Sequence, residues 1–265
     1  MKDFKYYFTN PDTIIIDQSN YLKNCQKLIN LLKTDHFEKV VYSRITKHPY
    51  QKRPIQIFEE LNLISRQTFN YLISIENLGV WIGATPEKLV DINGTSIKTV
   101  SIAGTKVSPK KEWGNKEMNE QKIVTTFIYS VLNSNHCTSI EIDGPKEMNT
   151  GVVAHLKTDI RANINFDNWP QIISDLHPTP ATCGLPKTKV LTFLQTFEKH
   201  DRSFYTGFLG TIKQQSINLF VNLRCMQLTE DYAYLYLGGG ITKDSVALDE
   251  WNETENKAKT LLRVL

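Results

Sequence analysis

The sequence predicts an α+β sandwich, in which helices pack on a large, mainly antiparallel β-sheet. Several strand-like segments follow one another after short turns, and short turns join antiparallel neighbours. The predicted helices are too few and too irregularly placed for a doubly wound parallel sheet. No linker-like segment divides the 265 residues, so we predict a single domain over residues 1–265.

The first half of the chain begins with an amphipathic helix predicted at residues 19–34. A strand, KVVYSRITKHP, starts at Lys39, and a helix follows from Arg53 with Pro54 in its first turn. Glycine-containing turns then separate four strand-like segments, which are FNYLISIE, GVWIGATP, KLVDING and SIKTVSIAGT.

The second half begins with a helix predicted at residues 115–134, followed by the strand GVVAHLKTDIRANI and a short helix in WPQIISDL. A proline-rich loop, HPTPATCGLP, leads into the helix PKTKVLTFLQTFE. Three more strands are predicted, RSFYTGFLGTI, SINLFVNLRCMQL and YAYLYLGGGIT. The last helix is predicted at residues 245–264.

Composition and charge exclude several classes of protein. Hydrophobic residues make up 40% of the chain and charged residues 22%, as in globular proteins that fold in water. A net charge of +3, without a block of Lys or Arg, argues against nucleic-acid binding. The N-terminal residues lack the apolar core of a signal peptide, and no apolar run is long enough to span a membrane. The four cysteines are too scattered for a zinc motif or a disulfide framework, so we expect a cytoplasmic protein.

Two Glu-x-x-Glu pairs stand near the start of two predicted helices. The pairs are Glu117 with Glu120, and Glu250 with Glu253. A spacing of three places both carboxylates of each pair on the face that carries apolar residues. Four inward carboxylates repel one another unless a cation lies among them, and Mg²⁺ prefers oxygen ligands. The pattern therefore predicts a Mg²⁺ site. The alternative is two helix N-termini, where the helix dipole favours acidic residues.

Two further residues are candidates for acid–base chemistry. Glu87 follows a Gly-Ala-Thr-Pro turn at a strand end, where partial desolvation would raise its pKa toward use as a general acid. Lys39 starts a strand, and a buried position would suit it as a base. An ordinary turn glutamate and a solvated strand-end lysine are the alternatives.

Other segments indicate ligand binding only weakly when each is taken alone. Glycines in SIAGTK and LGGGI lie at strand ends, where a ligand carboxylate can approach main-chain N–H groups. Arg224 lies among apolar residues of a predicted strand, so it either points to solvent or holds an anion. His177, in the proline-rich loop, either bonds a substrate or caps the loop.

Ten segments in this order resemble the chorismate-utilising enzymes, most closely the isochorismate synthase branch. The segments run from about residue 37 onward, and LHPTPA and EWNETENK are the most specific. They are KVVYSR, WIGATPEKLV, SIAGTK, KEMNEQKIV, HLKTDI, LHPTPATCGLPK, FYTGFLG, VNLRC, LGGGI and EWNETENKAKTLL.

The resemblance implies a Mg²⁺ site and a set of groups for chorismate, which is a dianion. Glu120 and Glu253 would bind the metal directly, whereas Glu117 and Glu250 would act through water or support the ligands. Lys257 would pair with one substrate carboxylate. The remaining substrate-binding residues would contact the pyruvyl carboxylate or line the pocket, and they are Tyr205, Arg224, Gly104, Thr105, His177, Ala181 and Gly240.

The resemblance also implies roles for the two acid–base candidates. Lys39 aligns with the family's water-activating lysine and Glu87 with its general acid. A lysine at this position favours water over ammonia as the nucleophile, so we predict conversion of chorismate to isochorismate, an isomerase reaction that feeds menaquinone or siderophore synthesis. The alternatives are a salicylate synthase, which also eliminates pyruvate, and a relative that binds chorismate without turnover.

The chain departs from the family pattern in two places. Gln121 stands where the family often has histidine, and we expect its side chain to point away from the ligand. Only about 36 residues precede the first matching segment, whereas family members usually carry a longer N-terminal region. A second copy or another partner could cover the sheet edge that this leaves exposed, so we expect a monomer or a homodimer.

Overall fold

Two six-stranded antiparallel sheets form the framework of the protein. The computed structural model describes residues 5–11, 13–34, 36–106, 112–149 and 154–265. The strands are β1 (Lys39–Pro49), β2 (Phe69–Ile75), β3 (Gly79–Thr85), β4 (Lys88–Asn93), β5 (Ser96–Lys106), β6 (Thr138–Asn149), β7 (Ala154–Asn163), β8 (Gly184–Leu185), β9 (Phe208–Lys213), β10 (Ser216–Val221), β11 (Cys225–Leu228) and β12 (Tyr232–Ile241). The first sheet has the order β2-β3-β11-β12-β1-β8 and the second β6-β7-β5-β4-β10-β9.

Six α-helices lie in the described part of the chain, and each was predicted from the sequence. They are α1 (Gln18–Leu32), α2 (Pro54–Ile64), α3 (Asn115–Ser134), α4 (Trp169–Leu176), α5 (Lys187–Phe197) and α6 (Ala247–Leu262). None of these helices is long and apolar enough to cross a membrane. The predicted α+β sandwich is therefore confirmed, with its strands divided between two sheets.

Helices and sheets bury separate apolar clusters. Helices α3 and α4 pack on the second sheet through residues such as Val124, Ile128 and Ile172. Helices α2 and α6 pack on the first sheet in the same way. An aromatic cluster on the first sheet includes Trp81 and Tyr236. Each of these four helices buries an apolar stripe against a sheet, and this burial holds the helix in place.

The strand pattern differs from the sequence prediction at four places. Two differences are small, because β8 lies within the predicted proline-rich loop and β9 begins at Phe208 rather than at Arg202. Strand β6 was not predicted, because nearly all of its residues are exposed and it lacks apolar alternation. It forms through its ladder to β7. The segment at residues 216–228 was predicted as one strand, but it is two, β10 in the second sheet and β11 in the first. Arg224 lies at the break, with a left-handed backbone (φ 47°).

Two crossings between the sheets lie side by side. One connects β3 to β4 and contains Glu87, and the other connects β10 to β11 and contains Arg224. The Val221 N–H donates a hydrogen bond to the Glu87 carbonyl oxygen at 2.9 Å, and the Ala84 N–H donates to the Arg224 carbonyl oxygen at 3.1 Å. These bonds fix the two crossings together, so the acid and the arginine reach the same region.

Gln121 fastens α3 to the second sheet. Its side chain is buried, with 2% exposed. The Ala103 N–H donates to Gln121 Oε1 at 2.8 Å, and Gln121 Nε2 donates to the Ser101 carbonyl oxygen at 3.0 Å and to Thr158 Oγ1 at 2.8 Å. The amide therefore contacts the sheet, and it is absent from the lining of the cleft described next.

Candidate active site

A cleft between the two sheets gathers most of the residues singled out from the sequence. The ends of β1 and β12 form one wall, and the end of β5 forms part of the other. Helices α3 and α6 each contribute one carboxylate from the second helical turn, Glu120 and Glu253. The predicted site residues that line this cleft are Lys39, Glu87, Gly104, Glu120, Ala181, Tyr205, Arg224, Gly240, Glu253 and Lys257.

Four predicted site residues are not placed in the cleft lining. Glu117 Oε2 accepts a hydrogen bond from the Gly114 N–H at 3.0 Å, so this carboxylate caps α3. Glu250 is buried behind the cleft, with 1% exposed. His177 lines a neighbouring pocket, with its ring centroid 4.9 Å from that of Phe208. Thr105 belongs to β5, but its side chain lies outside the described residues.

Glu87 is a buried carboxyl group whose ionisation is disfavoured. It is 7% exposed, and burial raises its pKa from 4.5 to about 7, against the opposing effect of Lys39 and Lys257. Its side chain has no hydrogen-bond partner among the residues that the structure describes. A carboxyl group that keeps its proton near neutral pH is suited to act as a general acid.

Lys39 lies at the floor of the cleft and faces Glu120. The lysine is 2% exposed, and its Nζ lies 3.8 Å from Glu120 Oε2. Gly240, on the neighbouring strand, makes room for it, because a Cβ there would lie 2.6 Å from Lys39 Cε. The glycine in LGGGI therefore admits a lysine side chain, which the sequence pattern did not reveal.

Arg224 is a partly buried cation without a protein counter-ion. Its guanidinium group makes neither a hydrogen bond nor an ion pair within the described ranges, and burial lowers its pKa. Because the side chain lines the cleft, the alternative that Arg224 points to solvent is excluded. A desolvated guanidinium without a partner is suited to receive a carboxylate.

Lys257 and Glu253 form a second charged pair in the cleft. Lys257 Nζ lies 2.7 Å from Glu253 Oε1 and donates a hydrogen bond to the Gly238 carbonyl oxygen at 2.9 Å. Burial acts to raise the pKa of Glu253, but Lys257 and then Lys116 outweigh it, so the pKa is lowered. This carboxylate is therefore ionised and available to a cation.

A lysine lies between the two acidic helices. Lys116 Nζ is 2.6 Å from Glu250 Oε1 on α6 and 3.9 Å from Glu120 Oε1 on its own helix. Burial, followed by the charge of Glu253, raises the pKa of Glu250 to about 7, and Lys116 opposes this shift. The sequence analysis predicted that a cation lies among the four glutamates, but it did not identify Lys116. The available signal was the spacing of four between Lys116 and Glu120.

Carboxylate oxygens are suitable ligands for a hard divalent cation, although these side chains are not yet close enough together to coordinate one ion. In the described part of the chain, no three His, Cys, Asp or Glu side chains are grouped to hold a metal ion. A Cβ added at Gly239 would lie 3.4 Å from Glu250 Oε2 and 3.8 Å from Glu253 Oε1, and one at Gly240 would lie 3.8 Å from Glu120 Oε2. Two adjacent glycines thus leave space beside three carboxylates, and oxygen ligands suit Mg²⁺.

His155 is a further cleft residue that sequence reasoning missed. It lies on β7, and burial, with the nearby charges of Lys257 and Arg224, lowers its pKa to about 4. The imidazole is therefore uncharged at neutral pH. Its segment, HLKTDI, was recognised, but the alternation of that strand did not distinguish a cleft-facing histidine from a surface one.

Comparison with known proteins gives one consistent result over most of the chain. The family described as chorismate binding enzyme matches residues 7–265. The isochorismate synthase MenF of Bacillus subtilis is 29% identical over 94% of this chain and 56% of its own length. The isochorismate synthase EntC of Escherichia coli is 27% identical over 94% of this chain and 68% of its own length.

A solved structure agrees with these relatives. It is that of the putative 2,3-dihydroxybenzoate-specific isochorismate synthase DhbC from Bacillus anthracis, with a TM-score of 0.85 and 25% identity. The match covers 94% of this chain and 72% of the other. The chain thus spans between half and three quarters of the length of each of these three proteins.

Proposed function

Because the chain belongs to the chorismate binding enzyme family, we propose that it converts chorismate to isochorismate with the help of Mg²⁺. The resemblance found in the ten segments is confirmed by that family match. Relatives that are named isochorismate synthases support this reaction over others of the family. The four cysteines are free and buried, which supports a cytoplasmic enzyme.

The observation that carries the proposal is the unpartnered guanidinium of Arg224. Chorismate has two carboxylates, and a buried cation without a counter-ion is stabilised when it receives one of them. Lys257 lines the same cleft and would bind the second carboxylate of chorismate. To do so, its ammonium group would give up its ion pair with Glu253. Tyr205 lines the cleft beside them, where its hydroxyl would contact the pyruvyl group.

Lys39 and Glu87 would carry the proton transfers. Water attacks C2 of the ring, and Lys39 in its uncharged form accepts a proton from that water. The ring double bonds shift, the bond from C4 to its hydroxyl oxygen breaks, and Glu87 gives its proton to the departing hydroxyl. One water is consumed and one is released, so the net reaction is an isomerisation. Proton return from Lys39 to Glu87 through solvent restores the starting state.

The acidic residues would hold the metal ion. Glu120 and Glu253 would bind it directly, and Glu250 would act through water, whereas Glu117 caps α3 and lies outside the cleft lining. When bound, the ion would neutralise and orient a carboxylate of the substrate. The chain's own residues remain responsible for proton transfer and for the second carboxylate.

The proposal is tested by incubating purified protein with chorismate, with and without Mg²⁺, and separating the products by chromatography and mass. Isochorismate formed only with Mg²⁺ is the expected result. Salicylate together with pyruvate would assign the chain to the pyruvate-eliminating branch instead. Unchanged chorismate, with the protein shown to be folded and to bind chorismate, would contradict turnover and favour a binding role.

A further inference from the structure

We propose that Lys116 is an internal counter-ion of the metal site, which occupies Glu250 in the metal-free protein and competes there with a divalent cation. This inference rests on the proposed Mg²⁺ site. It concerns a residue to which neither the ten segments nor the resemblance gave a role. It predicts that the lysine stabilises the metal-free protein and weakens its affinity for Mg²⁺.

The first step is the position of the ammonium group. Lys116 stands in the first turn of α3, and its Nζ reaches across to Glu250 Oε1 in the first turn of α6 at 2.6 Å. Glu120 Oε1 lies 3.9 Å from the same nitrogen. One lysine thus contacts a carboxylate from each acidic helix, at the place where these helices approach.

The second step is the burial of the partner. The Glu250 side chain is 2% exposed, so its charge cannot be stabilised by solvent. A charged carboxylate at this depth requires a cation, and Lys116 supplies it within the described residues. Without metal, the ion pair therefore joins α3 to α6.

The third step is that the ammonium group of Lys116 can move away from Glu250 toward solvent. Its side chain is 26% exposed, and the four-carbon stem is flexible. Mg²⁺ binds oxygen at about 2.0–2.1 Å and repels a neighbouring ammonium group. An ammonium hydrogen-bonded to Glu250 Oε1 therefore has to withdraw toward solvent before this carboxylate can serve the ion.

The test compares Lys116→Met with the wild type by calorimetric titration of Mg²⁺ in the absence of chorismate. Methionine keeps the length of the side chain and removes its charge. Since the wild type binds metal only in the fraction with Lys116 withdrawn, the variant is expected to bind Mg²⁺ about tenfold more tightly. Lys122→Met is the matched control, because Lys122 is an exposed residue of the same helix and forms no ion pair within the described ranges. Its Mg²⁺ affinity is expected to equal that of the wild type.

Thermal unfolding in EDTA provides a second readout. Lys116→Met is expected to unfold at a lower temperature than the wild type, and Lys122→Met at the same temperature. Adding Glu250→Gln to Lys116→Met is expected to restore the melting temperature, because the buried charge that needed the lysine is gone. A general loss of packing at Lys116 would not be repaired in this way.

Two results would overturn the inference, and they are distinguishable from failure of the proposed function. Equal Mg²⁺ affinity in the wild type and Lys116→Met would refute competition while leaving the metal site intact. If neither protein binds Mg²⁺, the proposed metal site is refuted, and the proposed competition between Lys116 and the metal is refuted together with it. Formation of isochorismate in the separate assay reports on the reaction itself.

Discussion

Lys39 and Glu120 face each other across the cleft, with Lys39 Nζ 3.8 Å from Glu120 Oε2. The lysine begins a strand of the first sheet, and the glutamate belongs to the helix that covers the second. The proposed base and a proposed metal ligand are thus already neighbours in the folded chain. Their approach depends on the bare backbone of Gly240, against which the lysine lies.

Gly240→Ala is expected to reduce turnover by about tenfold or more while preserving the fold. The new Cβ would lie 2.6 Å from Lys39 Cε, so the end of this flexible side chain must move. Steady-state kinetics and a thermal melt measure the two effects. Gly239→Ala is the comparison variant, because its new Cβ would approach Glu250 Oε2, at 3.4 Å, and not Lys39. An equal loss of turnover in both variants at saturating Mg²⁺ would contradict this role of Gly240.

The pH dependence of kcat/KM should follow the proton on Glu87. The pKa of this carboxyl group is raised to about 7, and only the protonated form can donate to the leaving hydroxyl. We therefore expect kcat/KM to fall as the pH rises above about 7. Glu87→Gln and Lys39→Ala should each lower turnover by about a hundredfold or more. Full activity in either folded variant would refute the assigned role.

Arg224 has a left-handed backbone conformation, and its side chain is proposed to bind a carboxylate of chorismate. Its variants should therefore separate the effect on protein stability from the effect on substrate binding. At φ 47° glycine is relaxed and alanine is strained. Arg224→Gly is expected to be about 1 kcal/mol more stable than Arg224→Ala. Both variants should raise KM for chorismate by about tenfold or more, because both lose the carboxylate partner. Denaturant unfolding and kinetics on the same samples test this, and unchanged KM in both would exclude the anion-binding role.

Gln121→Leu is expected to destabilise the protein by about 2–4 kcal/mol. The substitution keeps the volume of the side chain but removes three hydrogen bonds to the second sheet, leaving the Ala103 N–H without its partner. Chemical denaturation measures the difference. Lys122→Leu on the same helix serves as the control for a change of helix composition. A loss no larger than that of the control would show that the amide does not fasten α3.

The sequence predicted the elements that have a strong local pattern. Strand β1 was predicted with its observed start at Lys39 and its end at Pro49, because it is rich in β-branched and aromatic residues and proline ends it. Strand β6 was missed because it is exposed along almost its whole length, and only the ladder to β7 defines it. The division of residues 216–228 was missed because apolar residues recur along the whole segment without a Gly or Pro between them, and the interruption comes from the backbone at Arg224.

The site was predicted where single residues matched a motif, and it was missed where two distant residues act together. Ten of the fourteen predicted residues line one cleft, so the motifs identified residues that the fold brings together. Lys116 was missed because its nearer partner, Glu250, is 134 positions away, and the sequence shows only its spacing of four from Glu120. Glu117 and Glu250 belong to the same Glu-x-x-Glu pairs as the cleft residues Glu120 and Glu253. The structure nevertheless places Glu117 at the helix cap and buries Glu250 behind the cleft.

The pairing of β1 with β12 has a consequence for the order in which the protein folds. Val41 pairs with Gly240, so closing this ladder joins segments about two hundred residues apart. Contacts of such long range form slowly compared with helices and hairpins. A folding intermediate that contained only the second sheet and α3 would already hold Gly104 and Glu120, but it would have no wall carrying Lys39. We therefore expect the cleft between the sheets to be completed late in folding, when β1 pairs with β12.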